Sequence, residues 1–362
     1  MEGKRSIMSD FSKIEEKVLA GKRLNREDGL KLIASSDLLS LGSLADIVRK
    51  RKVGDKSYFN SNLNINYTNI CIFRCPLCAF SKDLEEGYLF SLEEIEEKVY
   101  QGLRLEIKEF HIVGGLHPHL SFEYFKEMLK RIKKIDAEIF IQAFTAVEID
   151  HFSKNSGLSI EEVLKKLKEA GLDSIPGGGA EVFSPRVRQI ISPKKISGNR
   201  WLEVMKKAHF LGIKSNATML YGHVETKEEQ VDHLLALRDL QDKTKGFLAF
   251  VPLAFHPKNT SLSSCRGTDG FDDLRIFAVS RILLDNFDHI KGLWMYLGEK
   301  LAEVALCFGV DDIGGTGLEE KIVHAAGALT PTEISKKRLV RIIENAKRIP
   351  QEVDSLYRER KL

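Results

Sequence analysis

The sequence predicts an α/β chain folded as a (β/α)8, TIM-type barrel with an N-terminal helical cap and a C-terminal helical tail. Three observations carry this. From Leu63 onward, short β-rich runs alternate with amphipathic helical segments, the pattern of βα units on a mainly parallel sheet. Ser91-x-x-Glu94, Ser159-x-x-Glu162 and Thr226-x-x-Glu229 keep the same phase, each reading as a capping box in which hydroxyl and carboxylate satisfy each other's backbone N–H groups. The length, 362 residues, suits one large barrel or two ordinary domains, and no Pro/Ser/Gly-rich linker divides the chain.

Between Asp10 and Lys52, apolar residues at helical spacing (Ile14, Val18, Leu30, Ile33, Leu38, Leu41) predict two or three short helices, interrupted at Asn25 and Asp37. The expected strands are Leu63–Thr68, Glu109–Val113, Glu138–Ala143, Asp173–Pro176, Ser215–Tyr221, Phe247–Leu253, Gly292–Leu297 and Asp311–Ile313. Gly171 and Gly212 stop two of the intervening helices. The last unit has the weakest pattern, so a partial barrel of six units is the alternative. After Thr330-Pro331 a charged helical segment runs to Leu362 and is expected to pack across the barrel. The expected division is a cap over residues 1–56, a barrel over 57–330 and a helical extension over 331–362.

Composition removes several function classes. With 43% hydrophobic and 30% charged residues the chain reads as an ordinary globular protein, not a disordered or collagen-like one. Lys plus Arg is 55 and Asp plus Glu is 52, so a net charge of +3 offers no basic footprint for nucleic acid. No apolar stretch follows Met1-Glu2-Gly3-Lys4-Arg5, and the run from Gly246 to Phe255 is too short to span a bilayer; no membrane association and a cytoplasmic location are expected. Five cysteines, an odd number unevenly spaced, argue against a disulfide framework.

Three of those cysteines sit together in Cys71-Ile-Phe-Arg-Cys75-Pro-Leu-Cys78, directly after the first expected strand. That is the first βα loop, at the face where barrels hold their active sites. Three thiolates can hold three irons of a four-iron, four-sulfur (4Fe-4S) cube and leave the fourth iron open to an outside chelator. Zinc fits less well, because a structural zinc site takes four ligands, often on paired C-x2-C arms, and Cys265 and Cys307 stand far away without such an arm. Accidental core cysteines would have no reason to cluster on a loop carrying Asn, Arg and Pro. Cys307, in the apolar stretch Leu301–Phe308, reads as a core residue.

Other residues invite chemistry singly. Gly114 and Gly115 end the second strand, where glycine lets backbone approach a ligand; a tight turn is the alternative. Glu181 lies on the glycine-rich loop after Pro176-Gly-Gly-Gly-Ala180, where packing gives no reason for a carboxylate. Asn216 is polar on a strand whose interior positions are normally aliphatic. His117, His223 and His256 each follow an expected strand and are the catalytic candidates, with a hydrogen-bonded rim histidine as the alternative for each; Arg186 and Arg188 lie on the loop after the fourth strand, within reach of the mouth. Glu148 ends the third strand, yet Thr145-x-x-Glu148 is also a capping box, so it is not counted among them. Tyr67 and Thr68 are expected to buttress the cysteine loop.

The C-x3-C-x2-C loop after the first barrel strand resembles that of the radical S-adenosylmethionine (SAM) superfamily. Two departures are visible: Leu77 stands where members often have an aromatic residue, and Leu116-His117 follows the glycine pair where an acidic residue is common. The resemblance implies a 4Fe-4S cluster on Cys71, Cys75 and Cys78, its open iron chelated by the amino and carboxylate groups of SAM, and SAM contacts from Gly114, Gly115, Glu181 and Asn216. The second departure leaves the SAM amino group to backbone carbonyls or another side chain.

Further segments, Asn64-Ile-Asn-Tyr-Thr-Asn69, His111-Ile-Val-Gly-Gly-Leu-His-Pro118, Pro176-Gly-Gly-Gly-Ala-Glu181, Gly222-His-Val-Glu-Thr226 and Leu284-Asp-Asn286, resemble the menaquinone and deazaflavin-cofactor branch. Ala143-Phe-Thr-Ala-Val-Glu148, Gly177-Gly-Gly179, Met219-Leu-Tyr221 and Phe255-His-Pro257 are similar to the aminofutalosine synthase family. The later-acting cyclic dehypoxanthinyl futalosine synthase tends to have Ser-Pro-Pro, Gly-Ala-Gly, Met-Phe and a Gln before the Pro at the matching places. This resemblance implies a transferase of menaquinone biosynthesis. It would add the 5′-deoxyadenosyl radical from SAM to 3-[(1-carboxyvinyl)oxy]benzoate, giving 6-amino-6-deoxyfutalosine with release of bicarbonate and methionine. A flavodoxin or ferredoxin is the electron donor it implies. The substrate has two carboxylates, which call for cationic or amide donors. The cyclase is the alternative within the branch, and a non-catalytic iron–sulfur or zinc-binding module the alternative from another class.

Overall fold

The computed structural model describes the backbone of residues 2–360 and the side chains of residues 11–360. Strands β2 (Leu63–Ile65), β3 (Glu109–Ile112), β4 (Phe140–Ala143), β5 (Ser174–Ile175), β6 (Lys214–Tyr221), β7 (Phe247–Ala254) and β8 (His289–Ile290) form one parallel sheet in chain order; β1 (Lys56–Asn60) lies between β10 (Ile349–Glu352) and β9 (Asp312–Gly315) in a second. Helices return the chain between successive strands of the large sheet, as a parallel order requires. The two sheets complete one ring. Lys291, just past β8, bridges Asp312 of β9, and Leu318, just past β9, bridges Leu63 of β2, so residues 312–318 span the edges of the seven-stranded sheet and stand in the eighth position.

The local signals act where the sequence places them. Ser91, Thr145, Ser159 and Thr226 all close capping boxes. Gly171 and Gly212 take positive φ, 115° and 75°, where the helices before them end. Asn25 and Asp37 interrupt the N-terminal pattern because they are N-caps, of the helices Arg26–Ala34 and Leu38–Val53. These follow a helix at Glu2–Leu19, and the helix Leu38–Val53 packs along Gly270–Leu283.

Three elements differ from expectation. The strand expected at Gly292–Leu297 is set earlier, at His289–Ile290, and Trp294–Leu297 is a helical turn closed by Leu297 N–H on Leu293 O at 3.2 Å. A short apolar run of this kind does not separate strand from helix by periodicity. β1 and β10 carry no expected strand; each exists by pairing with the other, from Lys56 with Ile349 to Phe59 with Glu352, across almost the whole chain. The expected C-terminal helix is Lys336–Asn345, after which the chain returns as β10. Cys307, expected in the core, is exposed, because it lies in the turn after the helix Glu299–Ala305 rather than on its buried face. Among the described residues no helix is long and apolar enough to cross a membrane.

Candidate active site

A cavity of about 410 Å³ opens among the C-terminal ends of the barrel strands, within the size range of small-molecule sites. Cys71, Cys75 and Cys78 line it, Cys75 buried and the other two partly exposed. Main-chain bonds fix their loop from three sides: Cys71 N to Lys82 O at 3.1 Å, Ile72 N to Leu116 O at 3.0 Å and Leu77 N to Ile191 O at 3.2 Å. Arg74, in the left-handed region at φ 44°, closes the turn and donates to Ser81 O. Thr68 accepts from Ile70 N at 3.1 Å and donates to Tyr88 O, the buttress expected of it.

Gly114 and Gly115 both line the cavity, and neither takes positive φ. Their smallness serves the loop first. A Cβ on Gly115 would lie 2.1 Å from Ile70 O and 3.1 Å from the Cys71 Cβ, and one on Gly114 would meet the Tyr67 ring at 2.6 Å. Tyr67 is fully buried and donates to Glu148 Oε1 at 2.7 Å, while Gly114 N donates to the same oxygen at 3.2 Å. Glu148 closes its capping box and lines the cavity as well. Burial pushes its carboxyl up despite these bonds.

Glu181 faces the cysteines with an unexpected partner. Lys195 Nζ lies 2.5 Å from Glu181 Oε1, and both side chains line the cavity. Burial raises the Glu181 carboxyl, but the Lys195 ammonium outweighs it and holds it below the usual range. Glu181 sits at φ 48°, a left-handed conformation rare for a side chain of this size, and it is over-determined here by the ion pair and by Leu220 N–H on its carbonyl at 3.0 Å. Burial pushes the Cys75 thiol up to about 11 against the pull of Lys195. Asn216 is buried on β6 and lines the cavity, and its side-chain amide makes no hydrogen bond among the described residues. A buried amide of this kind is poised for a ligand.

The three histidines lie outside the cavity lining. The His223 imidazole is shielded and paired with Glu225 at 2.8 Å, His256 Nε2 meets Tyr296 O at 3.2 Å, and His117 Nδ1 accepts from His119 N at 3.1 Å. Burial lowers His117 and His256 toward neutrality. Arg186 pairs with Glu229 at 2.5 Å, and the buried Arg188 donates to Ala180 O at 2.6 Å, so neither reaches the mouth. In their place the wall holds His111, Lys195, Lys291 and the amides Asn60, Asn62 and Asn64. The asparagines carry a signal in the sequence itself: Asn60, Asn62 and Asn64 recur at strand period from the end of β1 into β2, and all three line the cavity.

Residues 65–237 match the Radical SAM superfamily, and residues 244–362 match the CofH/MqnC C-terminal region. The chain is 49% identical over 352 residues to the aminodeoxyfutalosine synthase of Thermus thermophilus, covering 96% of this chain and 95% of that one. It is 40% identical to the aminodeoxyfutalosine synthase of Streptomyces coelicolor, covering 95% and 92%. It is also 40% identical to the 5-amino-6-(D-ribitylamino)uracil–L-tyrosine 4-hydroxyphenyl transferase of Archaeoglobus fulgidus, covering 87% and 92%. The chain belongs to the radical SAM superfamily, in its aminodeoxyfutalosine synthase family.

Two solved structures share the fold at low identity. Methylornithine synthase aligns with a TM-score of 0.74 at 18% identity, over 93% of this chain and 97% of that one. The FeFe-hydrogenase maturase of Carboxydothermus hydrogenoformans aligns with a TM-score of 0.76 at 18% identity, over 98% and 82%. Radical SAM enzymes use a 4Fe-4S cluster and SAM, and the residues present fit both. Three thiols and no fourth cysteine line the cavity, which leaves one iron for an outside chelator, and the Glu181–Lys195 pair and the free Asn216 amide stand on the same wall system. The substrate is a small molecule, in keeping with the cavity's size.

Proposed function

We propose that this radical SAM enzyme is an aminodeoxyfutalosine synthase. It joins the adenosyl group of SAM to the vinyl carbon of the enolpyruvyl benzoate, gives 6-amino-6-deoxyfutalosine with release of bicarbonate and methionine, and draws its electron from a flavodoxin or ferredoxin. The observation that carries this reading is 49% identity to the Thermus thermophilus synthase over 96% of the chain. The segments that separate synthase from cyclase by resemblance support it, because most of them build the cavity: Thr145, Val147 and Glu148 from one, Gly177 to Gly179 from the next, Leu220 from the third. The first two are coupled. A Cβ on Gly178 would come within 2.9 Å of Thr145 Cγ2, so an alanine there requires a different partner segment.

Cys71, Cys75 and Cys78 would hold the cluster, which supplies the electron that opens the S–C5′ bond of SAM. The chain's own residues then do three things. Glu181 and Lys195 present a carboxylate and an ammonium beside the cysteine loop, complementary to the amino and carboxylate ends of the methionine portion of SAM. Asn216 offers an unengaged amide to the nucleoside. Phe73, Leu77, Phe80, Val147 and Leu253 make the remaining wall largely apolar, which keeps water from a reactive carbon centre. Holding the olefin within about 3–3.5 Å of C5′ is the positioning task that this cavity would serve.

The test is an anaerobic incubation with dithionite, SAM and the enolpyruvyl benzoate, read by mass spectrometry. An adenine-containing adduct lacking one carboxyl group, absent with Cys75→Ala, is expected. Cleavage of SAM to 5′-deoxyadenosine alone, with the benzoate intact, would overturn the substrate assignment.

A further inference from the structure

At the deep end of the cavity, two donor groups are held by carboxylates that the C-terminal segment holds in turn. Lys291 Nζ meets Asp312 Oδ2 at 2.9 Å, and Tyr357 Oη donates to that same oxygen at 2.7 Å. The second relay is longer. Ser355 donates to Glu109 through Oγ at 2.6 Å and N at 2.9 Å; Glu109 Oε1 lies 2.8 Å from His111 Nε2; and His111 Nδ1 lies 3.2 Å from Asn62 Nδ2. The orientation of each group follows. Asn62 Oδ1 accepts from Gly317 N at 3.3 Å, so Nδ2 is the atom facing the ring, His111 accepts there and Nε2–H donates to Glu109. One Asn62 N–H remains unused in this arrangement, and the Lys291 ammonium has donors to spare beyond Asp312.

Both relays end far from the cysteines. His111 lies on β3, whereas Gly115, beyond the end of that strand, packs on Ile70 and Cys71. Ser355 meets Glu109, the first residue of β3, and Tyr357 stacks at 3.5 Å on His289, the first residue of β8, so the segment after β10 covers the N-terminal end of the barrel. Among the described residues Lys195 and Lys291 are the lysines and arginines that line the cavity, and Lys195 is committed to Glu181 at the cysteine end. The substrate of the proposed reaction also has two distinct anionic ends. The carboxylate on the vinyl carbon must face the adenosyl group and is lost; the ring carboxylate survives in the product and points the other way.

We propose that Lys291 and Asn62 form the subsite for the ring carboxylate, and that Tyr357 and Ser355 are positioning residues acting through Asp312 and through Glu109 and His111. This rests on the synthase reading above. The olefin binds toward the cysteines, the carboxylate against the floor, and the C-terminal segment sets the floor's donors.

The test compares the enolpyruvyl benzoate with 2-phenoxyacrylate, which keeps the olefin and lacks the ring carboxylate. Lys291→Met is expected to lower kcat/KM for the benzoate roughly 10- to 100-fold more than for 2-phenoxyacrylate. Tyr357→Phe is expected to shift the same ratio in the same direction by a smaller factor, through KM rather than kcat. Equal losses on both compounds would reduce the Lys291–Asp312 pair to a structural one and overturn the proposal. A variant-free check uses the wild-type enzyme: 3-hydroxybenzoate should compete with the substrate and phenol should not, and equal inhibition by the two would overturn the subsite as well. If the wild-type enzyme leaves the benzoate unconsumed, the synthase reading itself fails, an outcome distinct from loss of the ratio.

Discussion

The two ends of the cavity are held in place by different means. At the cysteine end, a loop of eight residues is pinned by main-chain bonds from Lys82, Leu116 and Ile191, so the positions of the thiols follow from backbone geometry. At the deep end, the groups come from several separate elements. Lys291, just past β8, and Asn62, between β1 and β2, are oriented by buried carboxylates, directly or through His111, and those by residues as much as 246 positions away in the chain. The difference separates two tasks: the first end must present three ligands of fixed spacing, which a short segment can do alone, whereas the second must fix single side-chain atoms around an aromatic substrate, which needs partners from several elements.

The largest expected effect isolates the first end. Cys75→Ala should abolish methionine release from SAM and lower iron content on reconstitution, while the melting temperature of the unreconstituted protein moves little, because Cys75 engages the loop through its carbonyl, which accepts from Cys78 N at 2.9 Å. A large drop in melting temperature would show that the thiol itself organises the loop. Lys195→Met comes next, since it leaves Glu181 buried without its cation. Breaking a pair of this kind costs about 3–5 kcal/mol, measurable by chemical denaturation, and SAM affinity should fall with it. The double variant with Glu181→Gln should recover much of the stability and none of the SAM affinity. Gly115→Ala should cost less, roughly 1–3 kcal/mol, because a Cβ 2.1 Å from Ile70 O must push the segment after β3 away from the cysteine loop. Iron incorporation after reconstitution checks it: a wild-type iron content would mean that the close approach is packing alone.

These effects also mark what the sequence could carry. The capping boxes, the helix-stopping glycines and the cysteine loop are local devices, each complete within a few residues, and each was legible. Glu181 and Asn216 were legible as polar residues out of place, but the Lys195 that pairs with Glu181 comes from a different element and gave no sign. The three histidines lie outside the cavity lining for the converse reason. Following a strand puts a residue near the rim, but whether its ring turns inward depends on partners such as Glu225 and the Tyr296 carbonyl. β1 and β10 were missed because neither pairs with a neighbour in sequence, and the floor depends on them. Its polar stripe of asparagines was on view, yet its meaning rests on Glu109, Ser355 and Tyr357 meeting across the barrel.

The finest distinction between the two ends is electrostatic, and it predicts pH slopes of opposite sign. Glu148, in the first turn of the helix Ala146–Ser156 at the cysteine end, and Glu109, the first residue of β3 at the floor, are both buried carboxyls, and burial pushes each one up. Around Glu148 the bonds from Thr145, Tyr67 and Gly114 do not offset that push, and its carboxyl stays above the usual range. Around Glu109 the hydrogen bond from His111, with Ser355 and Lys291, reverses it and holds the carboxyl below. A depressed folded value gives stability that is present above the unfolded value, about 4.3, and lost as pH falls through the folded one. The deficit of Glu109→Gln relative to wild type should therefore be largest near neutrality and shrink below about pH 4. A raised folded value does the reverse: the carboxylate costs stability as pH climbs past about 4.3, so Glu148→Gln should improve relative to wild type over that range, by about 1.4 kcal/mol for each tenfold by which folding tightens the hold of Glu148 on its proton. Each amide also opposes a backbone N–H, Thr145 in one case and Ser355 in the other, which adds a constant offset and leaves the slopes intact. Denaturation of the three proteins across pH 3.5 to 7.5 reads the slopes directly. Parallel slopes would mean that the floor carboxylate is not held charged by its neighbours, and that the relay from Ser355 to Asn62 lacks the fixed anion on which its orientation depends.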